Sequence, residues 1–571
     1  MSKQLWLKNY PVRWNLNYPE VSLYHYLCEK TSQCDQLIAL VYDEESITFH
    51  KVHDNINRFA AALTDLGVKK GDRVALIMPN CPEYVYAYYA CMKVGAIEVQ
   101  IDPLFTPSEV ELALNDSGAN TVVIADIVFD SLQAVRDKAS IDNIIVNRIV
   151  GEESLEKNEL CLEELIEKHS PLLEEAVINP KEDIAVLQYT SGTTGIPKAV
   201  MLTHYNLVCN IEQKREWFKD WFDSNFANGV TQKYGLAIMP FFHCTGMNTV
   251  MNFGLTFPLG LLILPSFDVE TTLELIDQYR PVYFMGVPTI FNAIANHPNA
   301  ARYNVRSIDI FRTGGAPMPV NVIEDIEAKT GVKIVEGYGL TEASPTTHAN
   351  PYKSIRKFGS IGLPYPDTEC LIVDPEKGID VLPPDKEGEL IVKGPQIMKG
   401  YWNRPEETSK TLRNGWLYTG DIAKMDSGGY FYIVDRKKDM VITGGINIYP
   451  SEVDEVITDH PKVAEAISIG IPDDYFGEVL KSYIVPKNGE NLGENELLDF
   501  CARKLAIYKL PSIIEFRQAL PKNNTGKLLR RVLMEEEVNK GPVESNYETA
   551  TTTTWEDEIL DLDDFDEEFN L

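Results

Sequence analysis

Between Ile56 and Ala125 the chain alternates helical and strand patterns so regularly that few folds can take it. Ile56–Leu66 spaces its apolar residues at helical intervals and ends at Gly67, and RVALIM at Arg73–Met78 is an apolar strand run. Pro82–Val94 reads as the next helix and AIEVQI at Ala96–Ile101 as the next strand. Thr106-Pro107-Ser108-Glu109 combines a capping box with a first-turn proline, predicting a helix to about Asp116, and Thr121–Ala125 is strand again. Strand–helix–strand units of this kind are right-handed and bury a parallel sheet between helices. The fold class expected is α/β.

At 571 residues there is room for more than one domain, and a 44% hydrophobic, 24% charged composition is that of an ordinary globular protein. The net charge of −32 excludes nucleic acid as a partner, because neutralising phosphates takes a basic face. Residues 541–571 hold eleven acidic and no basic residues, and without them the body still carries −21. This tail is expected to be disordered and solubilising, although Trp555, Ile559, Leu560, Leu562, Phe565 and Phe569 set among acids also read as a docking peptide. Nine scattered cysteines without a CxxC pair suit reduced thiols in a cytosol. The start MSKQLWLKNY has no apolar signal core, and the most membrane-like run, Gly254–Pro265, is too short to span a bilayer. The expected location is cytoplasmic, with peripheral membrane contact left open.

Tyr189–Leu202 reads YTSGTTGIPKAVML. Apolar runs at Asp183–Gln188 and Lys198–Leu202 flank a loop in which Gly192 and Gly195 let the backbone turn and aim its N–H groups at an anion. Thr190, Ser191, Thr193 and Thr194 add hydroxyls, one of them able to reach a phosphate-bridging metal, and Lys198 supplies a cation. No Gly-Lys-Ser/Thr follows the glycines, so this is not a Walker loop.

Further blocks follow in order. Met239–Gly246 holds PFFH, ending at His243; Arg312–Pro317 (RTGGAP) is a glycine turn; and Val335–Pro345 (VEGYGLTEASP) sets a tyrosine between glycines ahead of a Thr-Glu pair. A tyrosine face can stack on a purine, and a carboxylate can hold Mg²⁺. Tyr418–Asp421 places a carboxylate at what reads as a tight turn, suited to a ribose diol. Residues 150–180, rich in Glu and Leu, read as a solvated helical connection. Asp435–Asp439 (DRKKD) reads as a domain boundary, followed by the glycine turn TGGIN, the helix start PSEV with Ser451 as an N-cap candidate, and LPKNNTGKLLRR with Lys527.

Together these blocks resemble the adenylate-forming superfamily of acyl-CoA synthetases, peptide-synthetase adenylation domains and luciferases, from about residue 20 to 535. Within it, DRKKDMVITGGINIYPSEV and LPKNNTGKLLRR are most similar to bacterial long-chain fatty-acid–CoA ligases. The resemblance implies a large N-terminal domain of parallel α/β layers with a small β-barrel-like region over residues 1–434, a small mobile α+β domain over 435–540, and the tail over 541–571. It implies that Thr190, Ser191, Gly192, Thr193, Thr194, Gly195 and Lys198 hold ATP phosphates, with Thr193 and Glu342 on Mg²⁺. Gly315, Ala316, Pro317, Glu336, Gly337, Gly339 and Ile433 would line the nucleotide site, Tyr338 would pack on adenine, and Thr341 would contact the α-phosphate. Asp421 and Arg436 would reach the ribose. His243 would stand at the mouth of the carboxylate pocket, though Cys244 and Thr245 follow it where the family often has an apolar and an aromatic residue. Lys438 would be the swivel, Gly444 would line the pantetheine tunnel, and Lys527 would be the catalytic lysine.

The implied chemistry is carboxylate attack on the α-phosphorus of ATP to give acyl-AMP and pyrophosphate, then CoA thiol attack to give acyl-CoA and AMP, on a medium- to long-chain fatty acid. Alternatives are an aryl or short-chain carboxylate, a carrier-protein acceptor, and a nucleotide-binding lipid-uptake scaffold without catalysis. The superfamily implies a monomer or homodimer.

Overall fold

The structure, a computed structural model, describes residues 4–540 except 152–158, 191–196, 228, 316–317, 319, 375–377, 437–440, 445, 449, 488 and 522–529. Among the described residues the strands form four sheets. The alternating segment behaves as its pattern requires. Helix Pro82–Val94 starts on its proline and ends at Gly95, whose φ of 75° lets the chain turn back. Helix Pro107–Ser117 opens on the complete Thr106–Glu109 capping box. The helix read at Ile56–Leu66 is longer, Phe49–Asp65, because the Thr48 hydroxyl caps it upstream.

Strands Arg73–Ile77, Ile97–Gln100, Thr121–Ala125, Asn143–Asn147, Glu159–Cys161 and Ile184–Thr190 pair in parallel in an eight-stranded sheet. Lys198–Thr203 and Gly400–Tyr401 extend its edge antiparallel. A nine-stranded sheet has six central parallel strands, among them Ile310–Thr313 and Ile334–Gly339, with antiparallel pairs at both edges. One large apolar cluster fills the space between the two sheets, joining helix Pro82–Val94 to the buried π-helical turn Gly246–Met251. Separate clusters cover the outer faces. The result is helices inside and outside two sheets, the layering that buried parallel strands demand.

A five-stranded antiparallel sheet follows, including Gly388–Lys393, Trp416–Met425 and Phe431–Arg436. The C-terminal portion has its own five-stranded sheet, built round the long hairpin Val463–Asp473 and Gly477–Pro486, and its own apolar clusters.

Three local readings change. Residues 150–180 are not one helical connection: among the described residues of this stretch only Leu162–Lys168 is helical, and His169–Pro180 runs without helix. Pro171 interrupts the pattern, and the backbone is tied back by Leu172 N–H to the Asn57 carbonyl and Ala176 N–H to that of Lys93. Asp421 is not at a turn but inside strand Trp416–Met425, which a φ of 74° at Gly420 bends without ending. Ser451 lies within helix Pro450–Thr458, which starts on its proline, instead of capping it.

All nine cysteines are free thiols. Among the described residues no helix is long and apolar enough to cross a membrane.

Candidate active site

Ligands of open parallel sheets bind beyond the carboxyl ends of the strands, and here those ends carry the singled-out residues. Thr190 closes strand Ile184–Thr190 and pairs with Lys198, so the glycine-threonine loop leaves and re-enters one edge hairpin. Ser191, Gly192, Thr193, Thr194 and Gly195 themselves lie outside the described residues. The Lys198 ammonium meets Oε2 of Glu407 at 2.7 Å and sits 5.6 Å from the centre of the Tyr401 ring. Glu407 is held far down, at about 2, chiefly by the hydrogen bond from Lys198. The Tyr401 hydroxyl donates to Oε1 of Glu342 at 2.7 Å. Burial pushes the Glu342 carboxyl above its ordinary pKa, and that hydrogen bond opposes the push. Lys198, Tyr401 and Glu342 thus share one spot, although their sequence positions are far apart.

On the neighbouring sheet, Glu336, Gly337, Tyr338 and Gly339 end strand Ile334–Gly339, and Thr341 and Glu342 follow in a short 3-10 turn. Gly339 is obligatory by contact, since a Cβ there would lie 2.1 Å from the Pro345 carbonyl oxygen. Burial raises the Glu336 carboxyl to about 7. The Tyr338 hydroxyl donates to Oδ2 of Asp421 at 2.5 Å, and the Tyr338 ring lies 5.9 Å from that of His348. Gly315 has a φ of 84° after strand Ile310–Thr313; Ala316 and Pro317 lie outside the described residues. Ile433 and Arg436 belong to the strand beside Asp421, and Arg436 is its register partner.

His243 is reached by solvent yet surrounded by protein closely enough that desolvation lowers its imidazole pKa, as for a residue lining a depression. Asn80 fixes this segment: its Oδ1 accepts from Phe241 N–H at 2.7 Å while its Nδ2 reaches the Met239 carbonyl. Gly246 allows the chain to fold back, because a Cβ would lie 1.9 Å from the Pro240 oxygen. The π-helical turn then places Asn248 to donate to the Ser344 carbonyl at 2.6 Å, tying the His243 segment to the Glu342 turn. Such π turns recur at functional sites.

Gly444 caps the hairpin Val441–Thr443 and Ile446–Ile448 with a φ of 55°. Lys438 and Lys527 lie outside the described residues. Among the described residues no group of three or more His, Cys, Asp or Glu gathers that could hold a metal. A single hard carboxylate, Glu342, fits a Mg²⁺ whose other ligands are substrate phosphates and water. Sequence reasoning missed Tyr401, Glu407, Asn80 and Asn248. Only their neighbours in space mark them.

Residues 29–402 match the model of the AMP-binding enzyme family and residues 452–527 that of the AMP-binding enzyme C-terminal domain. The chain belongs to the AMP-binding enzyme family. It is 40% identical over 562 residues to a long-chain-fatty-acid–CoA ligase of Bacillus subtilis, covering 94% of this chain and 98% of the relative. Two solved members of this fold each share 29% identity, covering 90% of this chain and 98% of theirs. A double mutant of o-succinylbenzoate CoA synthetase from Bacillus subtilis, bound with its product analogue OSB-NCoA, matches with a TM-score of 0.76. ATP-bound MatB from Rhodopseudomonas palustris matches with a TM-score of 0.66.

Proposed function

We propose that this protein is an ATP-dependent fatty-acid–CoA ligase that forms acyl-AMP and pyrophosphate, then acyl-CoA and AMP. The observation that carries the reading is the convergence of the phosphate-loop hairpin, the Glu342 turn and the Tyr338–Asp421 pair around the ends of strands Ile184–Thr190 and Ile334–Gly339, in a chain 40% identical to a long-chain-fatty-acid–CoA ligase.

In this reading ATP lies with its adenine against Tyr338 and its ribose diol on Asp421 and Arg436. The phosphates take the Thr190–Lys198 loop, with Lys198 exchanging Glu407 for phosphate oxygens. Mg²⁺, held by Glu342 and Thr193, would neutralise phosphate charge. Thr341 faces the α-phosphate and His243 stands at the carboxylate entrance. Lys527 bridges the carboxylate and the α-phosphate; charge placed where the transition state develops it is worth ~10² to 10³ in rate.

The thiol step has no use for Lys527. Residues 435–540 therefore rotate about Lys438 as a small mobile domain and bring Gly444 to the pantetheine path.

Mass spectrometry of products from ATP, Mg²⁺, CoA and a mixture of short to long straight-chain acids with benzoate and cinnamate types tests the reading. Long-chain acyl-CoA is expected. Aryl- or short-chain acyl-CoA alone would overturn the substrate class, and AMP release without acyl-CoA would overturn the acceptor.

A further inference from the structure

The chain buries one lysine between carboxylates that belong to opposite ends of the sequence. Lys509 Nζ lies 2.8 Å from Oε1 of Glu109 and 2.8 Å from Oε1 of Glu452, and the three side chains are only 2%, 8% and 6% exposed. Beside it the Tyr508 hydroxyl donates to Oδ2 of Asp102 at 3.0 Å, and Phe105 places its ring 5.2 Å from the ammonium.

The two sides of this contact differ in preparation. Glu109 uses Oε2 to accept from the Thr106 backbone N–H and hydroxyl, both at 3.0 Å, which leaves Oε1 aimed outward. Asp102 likewise spends Oδ1 on the Leu104 N–H and offers Oδ2. The acceptors on the N-terminal side are therefore fixed by their own turn and helix cap before anything docks. Lys509 and Glu452 both belong to the C-terminal portion, so on separation Lys509 leaves with Glu452 and Glu109 stays behind.

Position gives the contact its meaning. Asp102 follows strand Ile97–Gln100, whose neighbour is strand Ile184–Thr190, the strand that opens the phosphate loop. Glu452 lies in helix Pro450–Thr458, directly after the hairpin that carries Gly444. Through Lys509, helix Pro450–Thr458, which follows that hairpin, is tied to helix Pro107–Ser117 of the N-terminal side. A buried ion cluster suits such a seat, because its worth depends on complete partnering: removing the cation leaves two desolvated carboxylates facing each other.

We infer that Lys509 is a positioning residue for thiol transfer, seating the small domain on Glu109 so that the Gly444 hairpin stands at the reaction centre. This rests on the two-step ligase reading and the rotation proposed with it.

The test separates the half-reactions in full-length protein: ATP–pyrophosphate exchange with a long-chain fatty acid, and single-turnover consumption of supplied acyl-AMP by CoA. Lys509→Met is expected to slow the CoA step at least tenfold and to leave exchange within twofold. Lys509→Arg, whose fork reaches both carboxylates, should restore most of the CoA step. Glu109→Gln, made on the other partner and still able to cap helix Pro107–Ser117, should slow the same step selectively. Equal loss of both half-reactions, no loss in either, or a defect with Lys509→Met that Glu109→Gln does not share would overturn the inference while leaving the ligase reading standing. A wild-type protein that makes no acyl-CoA would overturn both.

Discussion

The Tyr338 hydroxyl donates to Oδ2 of Asp421 at 2.5 Å, across two different sheets. It joins the aromatic face proposed for adenine to the carboxylate proposed for ribose, so the nucleoside subsite is assembled before ATP arrives. A hydrogen bond to a charged group contributes about 1.5–3 kcal/mol. Asp421→Ala should therefore raise the KM for ATP by roughly tenfold to hundredfold. Tyr338→Phe, which keeps the ring and loses the bond, should fall between it and wild type. ATP–pyrophosphate exchange measures both, and an unchanged KM in Asp421→Ala would remove Asp421 from the site.

Tyr401 supports the ionised form of Glu342 against burial that pushes its pKa up. Removing the donor raises that pKa further, so Tyr401→Phe should move the acid limb of the pH–rate profile to higher pH. Its Mg²⁺ requirement should exceed that of wild type on the acid side of the profile and approach it on the alkaline side. Glu342→Gln should need more Mg²⁺ at every pH. Magnesium titrations on the two sides of the profile distinguish these outcomes.

Lys527→Ala should abolish adenylate formation and leave thiolysis of supplied acyl-AMP largely intact. Gly444→Leu should do the reverse, because a side chain there must accept a φ of 55° and would enter the proposed pantetheine path beside Phe476. Stopped-flow assay of each half-reaction decides; parallel loss in either variant contradicts the division of labour.

His204 is buried neutral: desolvation lowers its pKa to about 4, and its Nδ1 accepts from the Leu23 N–H at 3.2 Å. The unfolded chain binds that proton near about pH 6.5, so the stability from burying the neutral ring is complete above that pH and lost as pH falls toward 4. His204→Asn keeps an acceptor for Leu23 and removes the titration. Urea midpoints should therefore fall less steeply for the variant than for wild type between about pH 6.5 and 4.5.

Locally encoded features could be read from the chain. Helical spacing, the Thr106–Glu109 capping box and the Gly444 turn depend on residues a few positions apart, so Pro82–Val94 and the hairpin at Thr190–Lys198 could be placed without a neighbour. Where local signals compete, the reading failed: glutamates and leucines at 150–180 suggested one helical connection, whose continuation past Lys168 Pro171 and long-range backbone bonds prevent, and Thr419-Gly420-Asp421 suggested a turn that strand pairing turns into a bend.

The sequence by itself determined the elements, the motif blocks and the family, because those rest on short-range periodicity and contiguous residue types. Tertiary structure alone decided the partners. Tyr401 reaches Glu342 because strand Gly400–Tyr401 pairs with Lys198–Thr203, Glu407 meets Lys198 from the helix that follows, and Lys509 finds Glu109 across 400 positions. Each of these contacts is a charge or hydroxyl whose value depends on burial and on a second group brought to it by sheet packing, and neither is written in the residues on either side of it.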